Sequence, residues 1–161
     1  MVRPKADVTA GAGVPRTPAS GWIDSGVHHL PLRAYFEDTD LAGVVYYANY
    51  LKFMERGRSD LLRLLGVDQW ATFQAGAGVY VVADLQIRYL RPARLGDDLQ
   101  VETQCLDIGA ASITMRQRVR RGEELLTDAQ VRAGFLDSAG RPKRQPAEWV
   151  EKLRRFAETA G

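Results

Sequence analysis

Between Val79 and Phe135 the chain alternates apolar and polar side chains in four successive runs, and no other feature constrains its fold as much. Period-two alternation puts one set of side chains on each face of a strand, so each run reads as a half-buried β-strand. The first, Val79 to Arg91, sets Leu85, Ile87 and Tyr89 against Asp84, Gln86 and Arg88. The second carries Leu99, Val101, Thr103 and Cys105 on one face. In the third, Ile113, Met115, Gln117 and Val119 oppose Arg116, Arg118 and Arg120. The fourth is the longest, with Leu125, Thr127, Ala129, Val131, Ala133 and Phe135 in step. Turn-forming residues punctuate them: Arg94-Leu95-Gly96-Asp97, Asp107-Ile108-Gly109, Arg121-Gly122 and Ser138-Ala139-Gly140. Three strands linked by turns this short argue for an antiparallel meander.

A cover for the apolar face lies upstream. Residues from about Tyr46 or Tyr47 to Leu65 read as one helix, closed by Gly66 just past its end. On a helical wheel Tyr46, Tyr47, Tyr50, Leu51, Phe53, Met54, Leu61, Leu62, Leu64 and Leu65 fill about half the circumference. So wide an arc suits a helix lying in the hollow of a curved sheet. Gly57 falls inside it, where glycine costs about 1 kcal/mol relative to alanine; close backbone packing is the expected compensation. Ahead of the helix, His28 to Phe36 reads as a strand with Leu30, Leu32, Ala34 and Phe36 on one face, and Pro31 suits an edge or a beginning. A last helix starts at Pro146 and carries Trp149, Val150, Leu153, Phe156 and Ala157 as its apolar stripe. The pattern is α+β: strand, long helix, about four antiparallel strands, short helix.

The 161 residues suit one domain. Twelve of the first twenty are Pro, Gly, Ala, Ser or Thr, too little apolar surface to offset ordering entropy, so residues 1–22 are expected to be a disordered tail and 23–161 the domain. A transit peptide is the alternative for that segment, since Arg3, Lys5 and Arg16 face only Asp7. A formal net charge of +2 argues against a nucleic-acid protein. With a single cysteine, Cys105, no intrachain disulfide or Cys-based zinc site can form, and a reducing, cytoplasmic setting is expected. Nothing resembles a transmembrane segment or a secretory signal. No Gly-x-Ser-x-Gly elbow, phosphate loop or dinucleotide fingerprint occurs. His28 and His29, adjacent on a strand, point to opposite faces and are expected as an edge-strand pair near solvent rather than as partners for one metal.

The chemistry concentrates between the first strand and the long helix. Tyr35-Phe-Glu-Asp-Thr-Asp40-Leu-Ala-Gly43-Val-Val-Tyr-Tyr47-Ala-Asn-Tyr50 places Glu37, Asp38 and Asp40 before a helix N-terminus. Carboxylates there can be caps, or groups held by helix-end N–H donors for chemistry. A divalent cation on Asp38 and Asp40 is a third option, although no further ligand can be identified. Arg88, Arg91 and Arg94 follow the long strand, and Arg116, Arg118, Arg120 and Arg121 form a second cluster. The guanidinium fork suits phosphate, and the plain alternative is a solvated outer sheet face. Arg141, Lys143, Arg144, Lys152, Arg154 and Arg155 make a third basic stretch, either a solvated helix face or a surface for an acidic partner such as acyl carrier protein or a membrane.

The run from Tyr35 to Leu62, YFEDTDLAGVVYYANYLKFMERGRSDLL, resembles the signature of the hotdog-fold acyl-CoA thioesterases. The branch it resembles includes the 4-hydroxybenzoyl-CoA and the Tol-Pal-associated enzymes. Ile87-Arg-Tyr-Leu-Arg-Pro-Ala-Arg-Leu-Gly-Asp97 continues the likeness, which spans residues 28 to 137. The resemblance implies a hotdog fold, a curved antiparallel sheet wrapped around one central helix. It implies that Asp40 is the catalytic carboxylate, as nucleophile or general base, and that the Tyr47 backbone N–H polarises the carbonyl. Gly43 and Val44 fall in the substrate-binding turn between them. Tyr47 stands where the Tol-Pal-associated enzymes usually carry histidine, but a main-chain donor does not depend on that side chain. The family needs no cofactor or metal, takes an acyl-CoA and builds its sites between subunits, so a homodimer or homotetramer is expected. Two rivals stay open: a non-catalytic acyl-thioester or acyl-carrier-protein-binding scaffold of the cell envelope, and a hotdog dehydratase. The dehydratase would want a histidine beside the carboxylate, and neither histidine lies in the motif.

Overall fold

The structure, a computed structural model, describes residues 18–160. Its strands are β1 (Trp22–Asp24), β2 (Val27–Arg33), β3 (Val79–Tyr89), β4 (Asp98–Ile108), β5 (Ser112–Arg121) and β6 (Glu124–Leu136). They form one antiparallel sheet in the order β1-β2-β4-β5-β6-β3. The helices are α1 (Asn49–Leu64), α2 (Gln69–Gln74) and α3 (Ala147–Glu158). The four alternating runs are β3 to β6, and β4, β5 and β6 are the expected meander. β3 pairs with β6 at the far edge, so the chain crosses the sheet between β3 and β4.

α1 lies in the hollow of the curved sheet, burying Tyr50, Phe53, Met54, Gly57, Leu61 and Leu62. A β-carbon on Gly57 would stand 2.9 Å from Val101 Cγ1 and 3.2 Å from Thr103 Oγ1, which is the close approach expected there. α3 closes one end of the core with Trp149, Leu153 and Phe156, packed against Leu61, Ile113 and Phe135. Gly66 follows α1 with φ +73, the left-handed conformation that ends a helix.

Several expectations change. α1 begins at Asn49, not at Tyr46 or Tyr47: Val44 and Val45 are still held in bridges to Arg94 and Thr39, and a turn closed by the Asn49 N–H on Tyr46 O at 2.8 Å leads from them into the helix. β2 ends at Arg33, and the chain turns into a short 3-10 segment, Phe36–Asp38, which leaves Phe36 84% exposed instead of inward. Period two also fails in β6: Val119 pairs with Thr127 but Arg120 with Leu125, so the bulged Leu126 enters the core in place of Leu125. β2 is interior, between β1 and β4, and His28 is fully buried rather than near solvent. The two histidines do face opposite ways: His28 bonds Asp60 on α1, and His29 bonds Gln100.

Most of the expected tail lies outside the described residues. Its last three residues belong to the fold: Ser20 Oγ–H and Gly21 N–H donate to the Asp60 carboxylate at 2.7 and 2.8 Å, and Trp22 opens β1. Burial pushes the Asp60 carboxyl up, but donors from Ser20, Gly21, His28 and Arg63 outweigh it and hold the group well below the usual carboxylate range. No helix among the described residues is long and apolar enough to cross a membrane.

Candidate active site

The segment before α1 folds into a narrow loop clamped at both ends. Asp38 is 6% exposed, and its carboxylate accepts the Tyr35 N–H at 2.8 Å. Its carbonyl oxygen takes the Tyr46 N–H and the Asn49 side-chain amide, each at 2.9 Å. Asp38 therefore fixes the base of the loop and is not available to a substrate or a cation. Thr39 bridges Val45, and the Asp40 N–H donates to Val44 O at 2.9 Å.

Asp40 stands at the exposed end of this ladder. One carboxylate oxygen, Oδ1, accepts the Ala42 N–H at 2.8 Å and the Val44 N–H at 3.4 Å. The other oxygen accepts no hydrogen bond from the described residues, so the group is oriented by its own loop while half of it stays open. Gly43 turns the chain with φ +74, and no atom lies within 4 Å of where its β-carbon would be. That conformation favours glycine, and the vacant space leaves backbone uncovered beside Asp40.

Tyr47 follows, two residues ahead of α1. Among the described residues its N–H finds no acceptor, whereas its carbonyl is fixed by the Tyr89 hydroxyl at 2.9 Å. Its ring packs edge-on to Tyr89, centroids 6.1 Å apart. The result is an open main-chain donor at the entrance to a four-turn helix, on the loop that carries an open carboxylate. A carbonyl oxygen placed at that donor would gain from both the N–H and the helix dipole.

Of the candidate arginines, only Arg94 joins this loop: it bridges Val44 through the backbone, and the next residue's N–H bonds Gly43 O at 3.0 Å. Its side chain is exposed. Arg91 makes an ion pair with Glu124 at 3.6 Å. Arg88 stands across from Asp128, on the sheet face where Arg116 already bonds that carboxylate twice. Arg120 pairs with Glu102, and Arg121 with Asp97 and Glu124, so the second cluster is largely matched by cross-strand carboxylates. In the third, Arg141, Lys152 and Arg155 pair with Asp137, Glu148 and Glu151. Among the described residues no group of three or more His, Cys, Asp or Glu side chains gathers as a metal site would require. Cys105 lies on β4, and burial pushes its thiol up to about 12, the opposite of an activated nucleophile.

The sequence did not single out Asp38 as the loop's anchor or Tyr89 as the clamp on Tyr47. For Asp38 a signal existed in its spacing, three residues after Tyr35, which suits a carboxylate bonding back to the main chain. Tyr89 carried none, because its contact is made across 42 residues.

Comparison with known proteins places this loop in context. A family model described as thioesterase-like superfamily matches residues 35–156. The acyl-CoA thioesterase YbgC of Haemophilus influenzae is 39% identical over 115 residues, covering 71% of this chain and 84% of that protein. A 1,4-dihydroxy-2-naphthoyl-CoA hydrolase of Thermosynechococcus vestitus is 41% identical over 91 residues, 52% of this chain and 62% of that one. Among solved structures, a probable thioesterase from Bartonella henselae superposes with a TM-score of 0.70 at 35% identity, covering 74% of this chain and 99% of its own.

Proposed function

The chain belongs to the thioesterase-like superfamily, and from that premise we propose that it hydrolyses an acyl-CoA to a carboxylic acid and free CoA at the Asp40–Tyr47 loop. The observation that carries this reading is the pairing of an open, loop-oriented carboxylate with an open main-chain N–H at a helix entrance. The thioester oxygen accepts the Tyr47 N–H, and the developing negative charge is stabilised there. Asp40 either takes a proton from an attacking water or attacks the carbonyl itself to give a mixed anhydride that water then cleaves. In both routes the C–S bond breaks, CoA leaves as thiolate and water supplies the acid's second oxygen. Arg94, exposed beside the loop, is the arginine best placed to meet a CoA phosphate.

Replacing Asp40 with Asn keeps the shape and removes the base or nucleophile. The Asp40→Asn protein is expected to lose about 10²–10⁴-fold in kcat/KM for thioester hydrolysis, measured by thiol release, with its melting temperature within a few degrees of wild type. Wild-type turnover by that variant would overturn the assignment. We further infer a homodimer or homotetramer acting in the cytoplasm. The assembly is supported by the sheet's two unlike edges: β1 is three residues long, whereas β3 offers eleven with no strand beyond it among the described residues.

A further inference from the structure

Tyr46 and Tyr47 together carry two main-chain N–H groups and two carbonyls, and all but one are bound. The Tyr46 N–H donates to Asp38 O at 2.9 Å, Tyr46 O accepts the Asn49 N–H at 2.8 Å, and Tyr47 O accepts the Tyr89 hydroxyl at 2.9 Å. Among the described residues only the Tyr47 N–H finds no acceptor. A peptide unit is planar, so the direction of that N–H follows from how the unit is held. The Asn49 N–H grips the carbonyl of the same unit, and the Tyr89 hydroxyl grips the carbonyl of the next.

The bond from Tyr89 replaces one that a regular helix would make. In an α-helix extended back to Tyr47, the Leu51 N–H would donate to Tyr47 O, four residues earlier. Here the Leu51 N–H donates to Ala48 O at 3.2 Å, and Tyr47 O turns to a side chain 42 residues away. That side chain is held in a fixed frame. Tyr89 ends β3, and the N–H groups of the next two residues, Leu90 and Arg91, both donate to Leu126 O on β6. Its ring packs edge-on to Tyr47 and to Tyr50, with centroids 6.1 and 5.6 Å apart. Tyr50 is buried, and its own hydroxyl accepts the Ala93 N–H at 2.9 Å. Partial burial raises the Tyr89 pKa above its ordinary value, so the hydroxyl stays a donor at any neutral assay pH.

We infer that Tyr89 is a positioning residue for thioester hydrolysis: its hydroxyl keeps Tyr47 out of α1 and so aims the Tyr47 N–H, acting through that donor rather than on the substrate. The inference rests on the Asp40–Tyr47 reading and deepens it. Without the hydroxyl, Tyr47 O is left to the Leu51 N–H, and α1 can extend by a residue and redirect the donor. A neutral thioester carbonyl is a weak acceptor, whereas the oxyanion that forms from it is a strong one. A misaimed donor therefore costs turnover far more than binding.

Tyr89→Phe keeps the ring and removes only the hydroxyl. Wild type and variant are assayed by thiol release on butyryl-, decanoyl- and benzoyl-CoA. On the member that wild type turns over fastest, Tyr89→Phe is expected to lose about 10–100-fold in kcat, with KM within twofold and the melting temperature within a few degrees. Tyr89→Leu, which removes the ring as well, should lose at least as much. A packing role alone gives a different order, wild-type kcat in Tyr89→Phe and a loss only in Tyr89→Leu, and that result overturns the inference. So does a loss in Tyr89→Phe confined to KM. In either event, loss of turnover in Asp40→Asn would still uphold the hydrolase reading. Hydrolysis of no member of the series by wild type would overturn both.

Discussion

Asp38 and Asp40 are chemically identical and two residues apart, and the fold gives them opposite tasks. One is buried under the Tyr35 N–H and anchors the loop; the other keeps an oxygen open to solvent. The difference comes from which way the backbone turns after the 3-10 segment, a matter no composition argument reaches. Gly57 makes the same point for packing. Alanine there would gain about 1 kcal/mol of helix propensity. The added carbon would meet Val101 at 2.9 Å and also crowd Thr103 and Gln117, which are themselves fixed by hydrogen bonds. Overpacking typically costs about 1–3 kcal/mol, so Gly57→Ala is expected to lower stability in denaturant titration despite its better propensity. A rise in the midpoint would show that α1 can shift outward at no cost.

At the scale of elements, β3 is the exposed one. Val81 and Val82 are 44% and 46% exposed, and its outer edge has no partner strand among the described residues. Natural sheets blunt such edges with charged side chains, proline or a bulge; β3 has a bulge between Val82 and Asp84 and carries Asp84 and Arg88, but its first half is apolar. α1 shows the complementary gap. Its apolar arc spans half the helix, yet Leu64 stays 40% exposed and Leu51 half-buried, because the sheet of one chain covers less than the arc. A second copy pairing along β3 would cover the strand edge. The double variant Val81→Lys, Val82→Lys is therefore expected to shift the mass measured by light scattering from dimer or larger towards monomer. An unchanged mass would place the interface elsewhere.

For the molecule as a whole, the N-terminal segment, β2 and α1 are tied together at one buried point, His28 with Asp60. Burial lowers the His28 pKa, opposed by the hydrogen bond and charge of Asp60. The unfolded chain therefore binds a proton that the native state resists as pH falls below about 6.5. Asp60 has the same sign: its native pKa is depressed, so its contribution is full above about 4 and is lost as pH falls further. Thermal melts between pH 7 and pH 3 should show stability declining in two stages; Asp60→Asn should reduce the lower stage, which Asp97, Glu124 and Asp128 share, while costing about 2 kcal/mol at pH 7. A flat profile from pH 7 to 5 would mean that His28 titrates normally. Much of this architecture was legible in the sequence: the four alternating strands, the long helix and its closing glycine, the terminal helix and the loop that carries Asp40. These depend on period and turn chemistry, which are local. Only the tertiary structure decided the rest. β1 needed Asp60 to hold Ser20 and Gly21 in place, and Leu126 needed a bulge opposite Val119 and Arg120 to enter the core. The burial of His28 and the clamp of Tyr89 on Tyr47 arise where segments far apart in the chain meet, and the free energy of such contacts is set by their neighbours in space.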